Sequence, residues 1–460
     1  MMIIETNNAG FAEECSALRD AGHRLMTMFA EHSGRVHALF RKGADVTDVT
    51  HVPEGKAVPL SPSIPCAMGF ERLMAESDGV EFEDGPRAPL VLRKEGSIPR
   101  NHTVGEDVFE IPVGPVHAGI IEPGHFRFSV AGEPVIELNP TLGFTHRGVE
   151  RLLEGPASKD DSRLVERISG DTCVANCIAY SEIMESGAEI PVRARHIRVV
   201  LAEMERLHAH IGTVSGVCTD TAFCVPSAVG GGIHEKLLRM NVGLTGHRLL
   251  MNSVVPGGVR RDIPPETLMR LDDFLMEIKF EMEELASVMM ESPALLDRLE
   301  GTGVLKKSDA EELGMVGPIA RASGVESDVR AELPYEMYGS LGMRVVTEPK
   351  GDVHARTLVR LGEITESISL IHQCIQSMEP GETRVRVTPK DGVRCAVVEA
   401  PRGELVHCAV IEDGKISRYN VRDPSFMDWP GMSRAVPGNV VPDFPLINKS
   451  FSLSYSGNDL

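Results

Sequence analysis

Among the nine cysteines of this 460-residue sequence there is no C-x-x-C pair, which excludes a plain zinc ribbon or a ferredoxin-type cluster site. No stretch approaches the roughly 18 consecutive apolar residues of a membrane span. The start, Met1-Met2-Ile3-Ile4-Glu5-Thr6, has neither the basic nor the apolar region of a secretory leader. Positive charge is also scarce: 47 Lys and Arg stand against 67 Asp and Glu, a formal net charge of -20. That balance speaks against nucleic acid as a partner and against direct docking on an anionic bilayer, since both need a basic face. Repeats and low-complexity tracts are missing too. The expectation is a cytoplasmic chain that meets a membrane only through other subunits.

What is present suits two or three domains with a large core. Residues 1 to about 60 open with a helix-like stretch, followed by two strand-like runs, Leu25-Met26-Thr27-Met28-Phe29 and Arg35-Val36-His37-Ala38-Leu39-Phe40. After Pro99 the pattern changes. Phe126-Arg127-Phe128-Ser129-Val130 and Val135-Ile136-Glu137-Leu138 read as strands joined by the turn Ala131-Gly132-Glu133-Pro134. Long helices dominate thereafter. Ile197, Val200, Leu201, Met204, Leu207 and Ile211 recur at three and four, one buried stripe over 192–214. Pro264-Pro265-Glu266 starts a second helix running to about Pro293, and a third spans Asp352 to Met378, stopped by Pro380. The predicted fold is α+β: a small N-terminal α+β domain joined to a long antiparallel helix bundle that carries small sheets at its ends. Cys173 and Cys177 fall on one helical face and read as buried structural thiols. His208 and His210, two apart, face different ways, and one is expected to bond to backbone.

Several segments carry a family resemblance. Gly114-Pro115-Val116-His117, Glu122-Pro123-Gly124-His125-Phe126-Arg127, His146-Arg147-Gly148-Val149-Glu150 and Glu205-Arg206-Leu207-His208-Ala209-His210 come first. Pro256-Gly257-Gly258-Val259-Arg260-Arg261-Asp262, Leu333-Pro334-Tyr335-Glu336-Met337-Tyr338, Gly351-Asp352-Val353-His354-Ala355-Arg356 and Ala400-Pro401-Arg402-Gly403 follow in the same order. Together they resemble the large subunit of membrane-bound, energy-converting nickel-iron hydrogenases and its relative, the quinone-site (49 kDa-type) subunit of respiratory complex I. The segment from Gly69 to Phe82, with Glu71-Arg72, Asp78-Gly79-Val80 and Phe82, resembles a signature of the small (30 kDa-type) complex I subunit, which some relatives carry fused in front. The resemblance implies a small-subunit-like domain over 1–100 and a large-subunit-like domain over 105–460.

Hydrogenases of this type hold their metal with R-I/V-C-G-x-C and D-P-C-x-x-C. Here the corresponding segments are Arg167-Ile168-Ser169-Gly170-Asp171-Thr172 and Asp423-Pro424-Ser425-Phe426-Met427-Asp428. The four thiolate positions thus fall on Ser169, Thr172, Ser425 and Asp428, hydroxyls and a hard carboxylate where nickel wants soft sulfur. By the same resemblance Glu122 takes the place of a proton-accepting carboxylate; a charge pair with Arg127 or Arg147 is the alternative. Arg402 corresponds to an arginine over the open coordination position, or else makes a buried ion pair. Asp171 and Asp428 are candidates for a two-carboxylate pocket, or are solvated by neighbouring donors. His146, Arg147 and Glu150 are candidates for a proton relay or a structural bridge. The quinone-binding histidine and tyrosine of complex I fall near Pro123 and at Gly170, so a quinone would need other donors; Tyr180 lies further along the helix. No cofactor is expected on this chain itself. Expected partners are an iron-sulfur small subunit fed indirectly by ferredoxin and antiporter-like membrane subunits, in a hetero-oligomer on the cytoplasmic face of the membrane. A quinone or small polar acceptor, and a non-catalytic scaffold, remain alternatives. The residues after Asp428, with Val440, Phe444, Leu446 and Ile447, read as retained structure.

Overall fold

The computed structural model describes residues 1–88, 90, 105, 107–117, 121–158 and 161–460. The expected domain boundary near 100–105 lies outside the described residues, apart from Gly105. Among the described residues no helix is long and apolar enough to cross a membrane.

The N-terminal unit is a four-stranded sheet ordered Met2–Glu5, Asp45–His51, Val36–Lys42, Arg24–Ala30, with only the first pair parallel. Helix Asn8–Asp20 starts at Asn7, whose side chain accepts from Gly10 N at 2.9 Å, a standard N-cap. Successive strand residues point to opposite faces. Met28, Ala38, Phe40 and Val49 pack against this helix and helix Ala67–Ser77, through Phe11, Phe70 and Met74. Met26, Phe29 and Leu39 belong instead to the core of the rest of the molecule. A sheet covered on both faces reads as a continuous apolar run, which is why Leu25–Phe29 shows no alternation.

The seam is also tied by charge. Buried Glu404 accepts from Arg24, from Arg41 (Nη2, 2.8 Å) and from Arg422, and Thr27 Oγ1 donates to Asn420 at 2.9 Å.

His37, inside the sheet, places Nδ1 2.8 Å from Asp48 and Nε2 2.9 Å from Glu31. Burial pulls the imidazolium down, but the two carboxylates outweigh it and raise the pKa to about 9. A raised folded pKa means that the stabilisation is fully present below 6.5 and is lost as pH rises through 9. NMR is therefore expected to show the His37 ring titrating near 9. A ring titrating at the ordinary 6.5 would contradict the buried pairing.

The predicted hairpin forms as His125–Ala131 and Val135–Thr141, with Val108–Val113 as a third antiparallel strand. Among the described residues the bundle has four long helices: Val192–Asp220, Cys224–Thr245, Pro265–Met290 and Val353–Ser377. The first, third and fourth match expectation, and Asp352 caps the last by accepting from Ala355 N at 2.7 Å. The segment Cys224–Thr245 and the sheet Gly392–Ala400, Gly403–Glu412, Lys415–Arg422 are additions that the sequence pattern does not predict.

Candidate functional site

Three local structures converge. Arg402 occupies the two-residue turn Pro401-Arg402 of a hairpin whose flanking Ala400 and Gly403 pair in register. The turn rests on Gly317, where a Cβ would lie 2.1 Å from the Arg402 carbonyl oxygen. Thr172 stands at the N-terminus of helix Cys173–Met184, and Ser425 in the first turn of helix Pro424–Ala435, where Asp423 accepts from Ser425 N at 2.8 Å.

The Arg402 guanidinium grips Asp171 at both oxygens, Nη1 to Oδ1 at 2.9 Å and Nη2 to Oδ2 at 2.6 Å, a bidentate pair. It also donates to Thr172 Oγ1 at 2.8 Å and, through Nε, to the Ser452 carbonyl at 2.6 Å. Burial would raise the Asp171 carboxyl, but Arg402 overrides it and holds the group well below the usual carboxylate range. Ser169 Oγ donates to Asp171 Oδ1 at 2.9 Å and lies 2.9 Å from Ser454 Oγ. Ser454 N in turn donates to Ser425 Oγ at 3.0 Å, and its carbonyl accepts from Trp429 Nε1 at 3.2 Å. Ser454 therefore links the two halves where thiolates would have shared a metal.

Glu122 is exposed, and its Oε2 accepts from Ser456 N at 2.7 Å. Arg127 pairs with Glu110 at 2.6 Å instead. Asp171 and Asp428 do not form a shared pocket: Asp428 is fully buried, accepts from Val316 N at 3.0 Å, and leaves Oδ2 without a partner among the described residues. Burial pushes its carboxyl well above the usual range, favouring the neutral acid. Arg402 makes the ion pair that was the alternative reading for it. His146, Arg147 and Glu150 each make hydrogen bonds to segments distant in the chain. His146 Nδ1 meets the Asp459 carbonyl at 2.7 Å, Arg147 donates to the carbonyls of Ile168 (2.9 Å) and Ser456 (2.8 Å), and Glu150 accepts from Arg418 (3.0 Å) and Val421 N (2.8 Å). His210 bonds to Glu363 at 2.7 Å rather than to backbone. Tyr180 donates to Asp161 at 3.0 Å inside the core. Cys173 and Cys177 are buried, and burial raises both thiols well above their ordinary pKa, which disfavours the thiolate form.

Two further residues complete the site: Glu205, which opens one of the quoted family motifs but was given no role there, and Ser454, which lies outside the motifs. Glu205 accepts from Val174 N at 2.6 Å and Ala175 N at 3.0 Å, closing the helix N-terminus beside Asp171, and burial raises it to about 8. Ser454 belongs to a run with serine at 450, 452, 454 and 456, and it caps the short helix Tyr455–Asp459, its side chain accepting from Gly457 N at 2.9 Å.

The donor set does not fit a nickel-iron centre. It offers three hydroxyls and one buried carboxyl, no sulfur, and Ser169, Thr172 and Ser425 are committed to Asp171, Arg402 and Ser454. Among the described residues no group of three or more His, Cys, Asp or Glu is placed to hold a metal.

The profile of the family described as "Respiratory-chain NADH dehydrogenase, 49 Kd subunit" matches residues 220–394. Formate hydrogenlyase subunit 5 of Escherichia coli is 33% identical over 76% of this chain, a match that spans 62% of that protein's own length. Carbon monoxide-induced hydrogenase of Rhodospirillum rubrum is 31% identical over 74% of this chain and 96% of its own. An NADH-quinone oxidoreductase subunit of Thermus thermophilus is 30% identical over 74% of this chain and 91% of its own.

Proposed function

Because the chain belongs to the family that unites energy-converting hydrogenase large subunits with the 49 kDa-type subunit of complex I, we propose that it works in a membrane-bound, complex I-like oxidoreductase whose nickel-iron site has become a protonatable ion-pair site. Residues 1–100 serve as the fused small-subunit-like domain and 105–460 as the large-subunit-like domain. Electrons arrive through iron-sulfur clusters of a partner subunit, from ferredoxin or a similar low-potential donor, and antiporter-like membrane subunits move the ions. The chain sits peripherally, on the cytoplasmic side.

The Arg402–Asp171 pair carries this assignment. Asp171 keeps 45% of its side-chain surface exposed, so a neighbouring redox group can act on its charge. A negative charge arriving there favours proton uptake by Glu205 and loosens the grip of Asp171 on Arg402. Arg402 is one residue from Pro401 and two from Ala400, whose carbonyl accepts from Arg206 at 3.0 Å. Arg206 is paired with Glu203, and Glu203 with Arg330 and Tyr338, within the buried bundle. Movement of the hairpin tip is thereby felt by a charged network that spans the helices.

Elemental analysis of the assembled membrane complex is expected to give iron without stoichiometric nickel. One nickel per chain would overturn the proposal. Glu122→Gln, which keeps the acceptor oxygen for Ser456 N, is expected to slow turnover less than tenfold, because a single exposed hydrogen bond contributes only about 0.5–1.5 kcal/mol. A larger loss would mean that the charge of Glu122 takes part in the reaction.

A further inference from the structure

Glu205, His208 and Gly212 lie at i, i+3 and i+7, on one face of helix Val192–Asp220. Glu205 binds the first N–H groups of the helix that follows Asp171. One turn on, His208 is 3% exposed and its Nε2 has no hydrogen-bond partner among the described residues. A buried imidazole nitrogen left unbonded is costly, so its retention calls for a role. One further turn on, Gly212 leaves space that the neighbouring helix Cys224–Thr245 fills with His234: a Cβ on Gly212 would meet His234 Nε2 at 3.4 Å. The two rings stand 6.2 Å apart, centre to centre, within reach of one bridging water. His234 is half-buried at the outer side of the bundle.

We propose that His208 and His234 form a two-histidine proton path between the outer face of the bundle and the Asp171 site. The proposal rests on the proton-coupled role assigned above. In each transfer His234 takes a proton from bulk water on one ring nitrogen and releases one from the other through a water to His208. His208 passes it to Glu205 when that carboxyl is ionised, because burial makes it the more basic of the two carboxylates while Asp171 stays held by Arg402. Only N–H and O–H bonds form and break, and no electrons move along the path. Burial holds His208 down at about 4, so it is neutral at rest and accepts a proton only when the site gains negative charge. The groups facing it are Asp171, which favours the protonated form, and His234, Arg402 and His210, which oppose it. His234 is likewise lowered by burial and Arg248, and supported by Glu235.

The test is stopped-flow proton uptake by the assembled complex, read with a pH-indicator dye after reduction with reduced methyl viologen. His208→Gln and His234→Ala are each expected to slow uptake about 100-fold without changing the final number of protons, as for removal of a positioned proton carrier. Added imidazole restores His234→Ala, whose site is accessible, but not the buried His208→Gln. Uptake within twofold of the parent in both histidine variants overturns the path, as does a slowed His234→Ala that imidazole does not restore. If the unmodified complex takes up no protons at all on reduction, the proton-coupled function itself falls, and the path with it; uptake that persists without the histidines removes the path alone.

Discussion

Replacing Glu404 by leucine is expected to cost about 3–5 kcal/mol, the range for breaking a buried ion pair from one side. Glu404 is 1% exposed and is the shared acceptor of Arg24, Arg41 and Arg422, of which Arg41 and Arg422 are almost wholly buried. Removing one carboxylate leaves cationic groups from two parts of the chain facing each other in the seam. Hydrogen exchange is the fitting measurement, with protection in strands Arg24–Ala30 and Val36–Lys42 expected to drop most. The same site fixes an acid dependence. The three arginines outweigh the effect of burial and hold Glu404 at about 2, so its contribution is present above 4.5 and is lost as pH falls through 2. Unchanged protection in Glu404→Leu would mean that the apolar half of the seam, Met26, Phe29 and Leu39, suffices alone.

Arg402→Met has its largest effect on function rather than on stability. With 45% of the Asp171 side chain exposed, water screens the pair and the stability change is expected to stay within about 1 kcal/mol. Turnover of the assembled complex is expected to fall about 100-fold, the scale associated with displacing a site by an ångström. The Ser452 carbonyl and Thr172 hydroxyl lose their donor together, and the segment that positions Ser454 is released. Trp429, the one tryptophan in the sequence, donates to the Ser454 carbonyl, so its fluorescence reports this release directly. Gly317→Ala should reproduce both changes without altering any charge, because its Cβ would collide with the Arg402 carbonyl. Normal turnover and assembly in Arg402→Met would leave the site as a relic and the chain as a scaffold.

The long helices are legible in the sequence wherever apolar residues repeat at three and four, as in Ile197 to Ile211. Cys224–Thr245 is not, because Pro226 and the run Gly230-Gly231-Gly232 read as breakers. In the fold those glycines permit close packing, with a Cβ at Gly230 falling 3.0 Å from the Ser215 side chain. The C-terminal sheet hides for a related reason: Glu399, Glu404, Arg418 and Arg422 look solvent-facing in the sequence, yet each is buried against a partner distant in the chain. Within the site, the resemblance to the hydrogenase motifs pointed to Ser169, Thr172, Ser425 and Asp428. Which of them meet was not legible, because Ser454 and Arg402 reach them from far along the chain. The exposure of Glu122 was not legible either, because the burial of a loop carboxylate is decided by long-range packing, not by its neighbours in sequence.

The two-faced N-terminal sheet sets a timing problem for synthesis. Arg24 and its acceptor Glu404 are 380 residues apart, a delay of about 20–80 s at typical elongation rates. Through that interval Met26, Phe29 and Leu39 lack the C-terminal sheet, and Arg41 has at most Glu332 of its two carboxylate partners. The nascent chain therefore emerges with an apolar surface that stays incompletely covered until the C-terminal sheet is made, and a stall in translation before residue 422 prolongs that exposure.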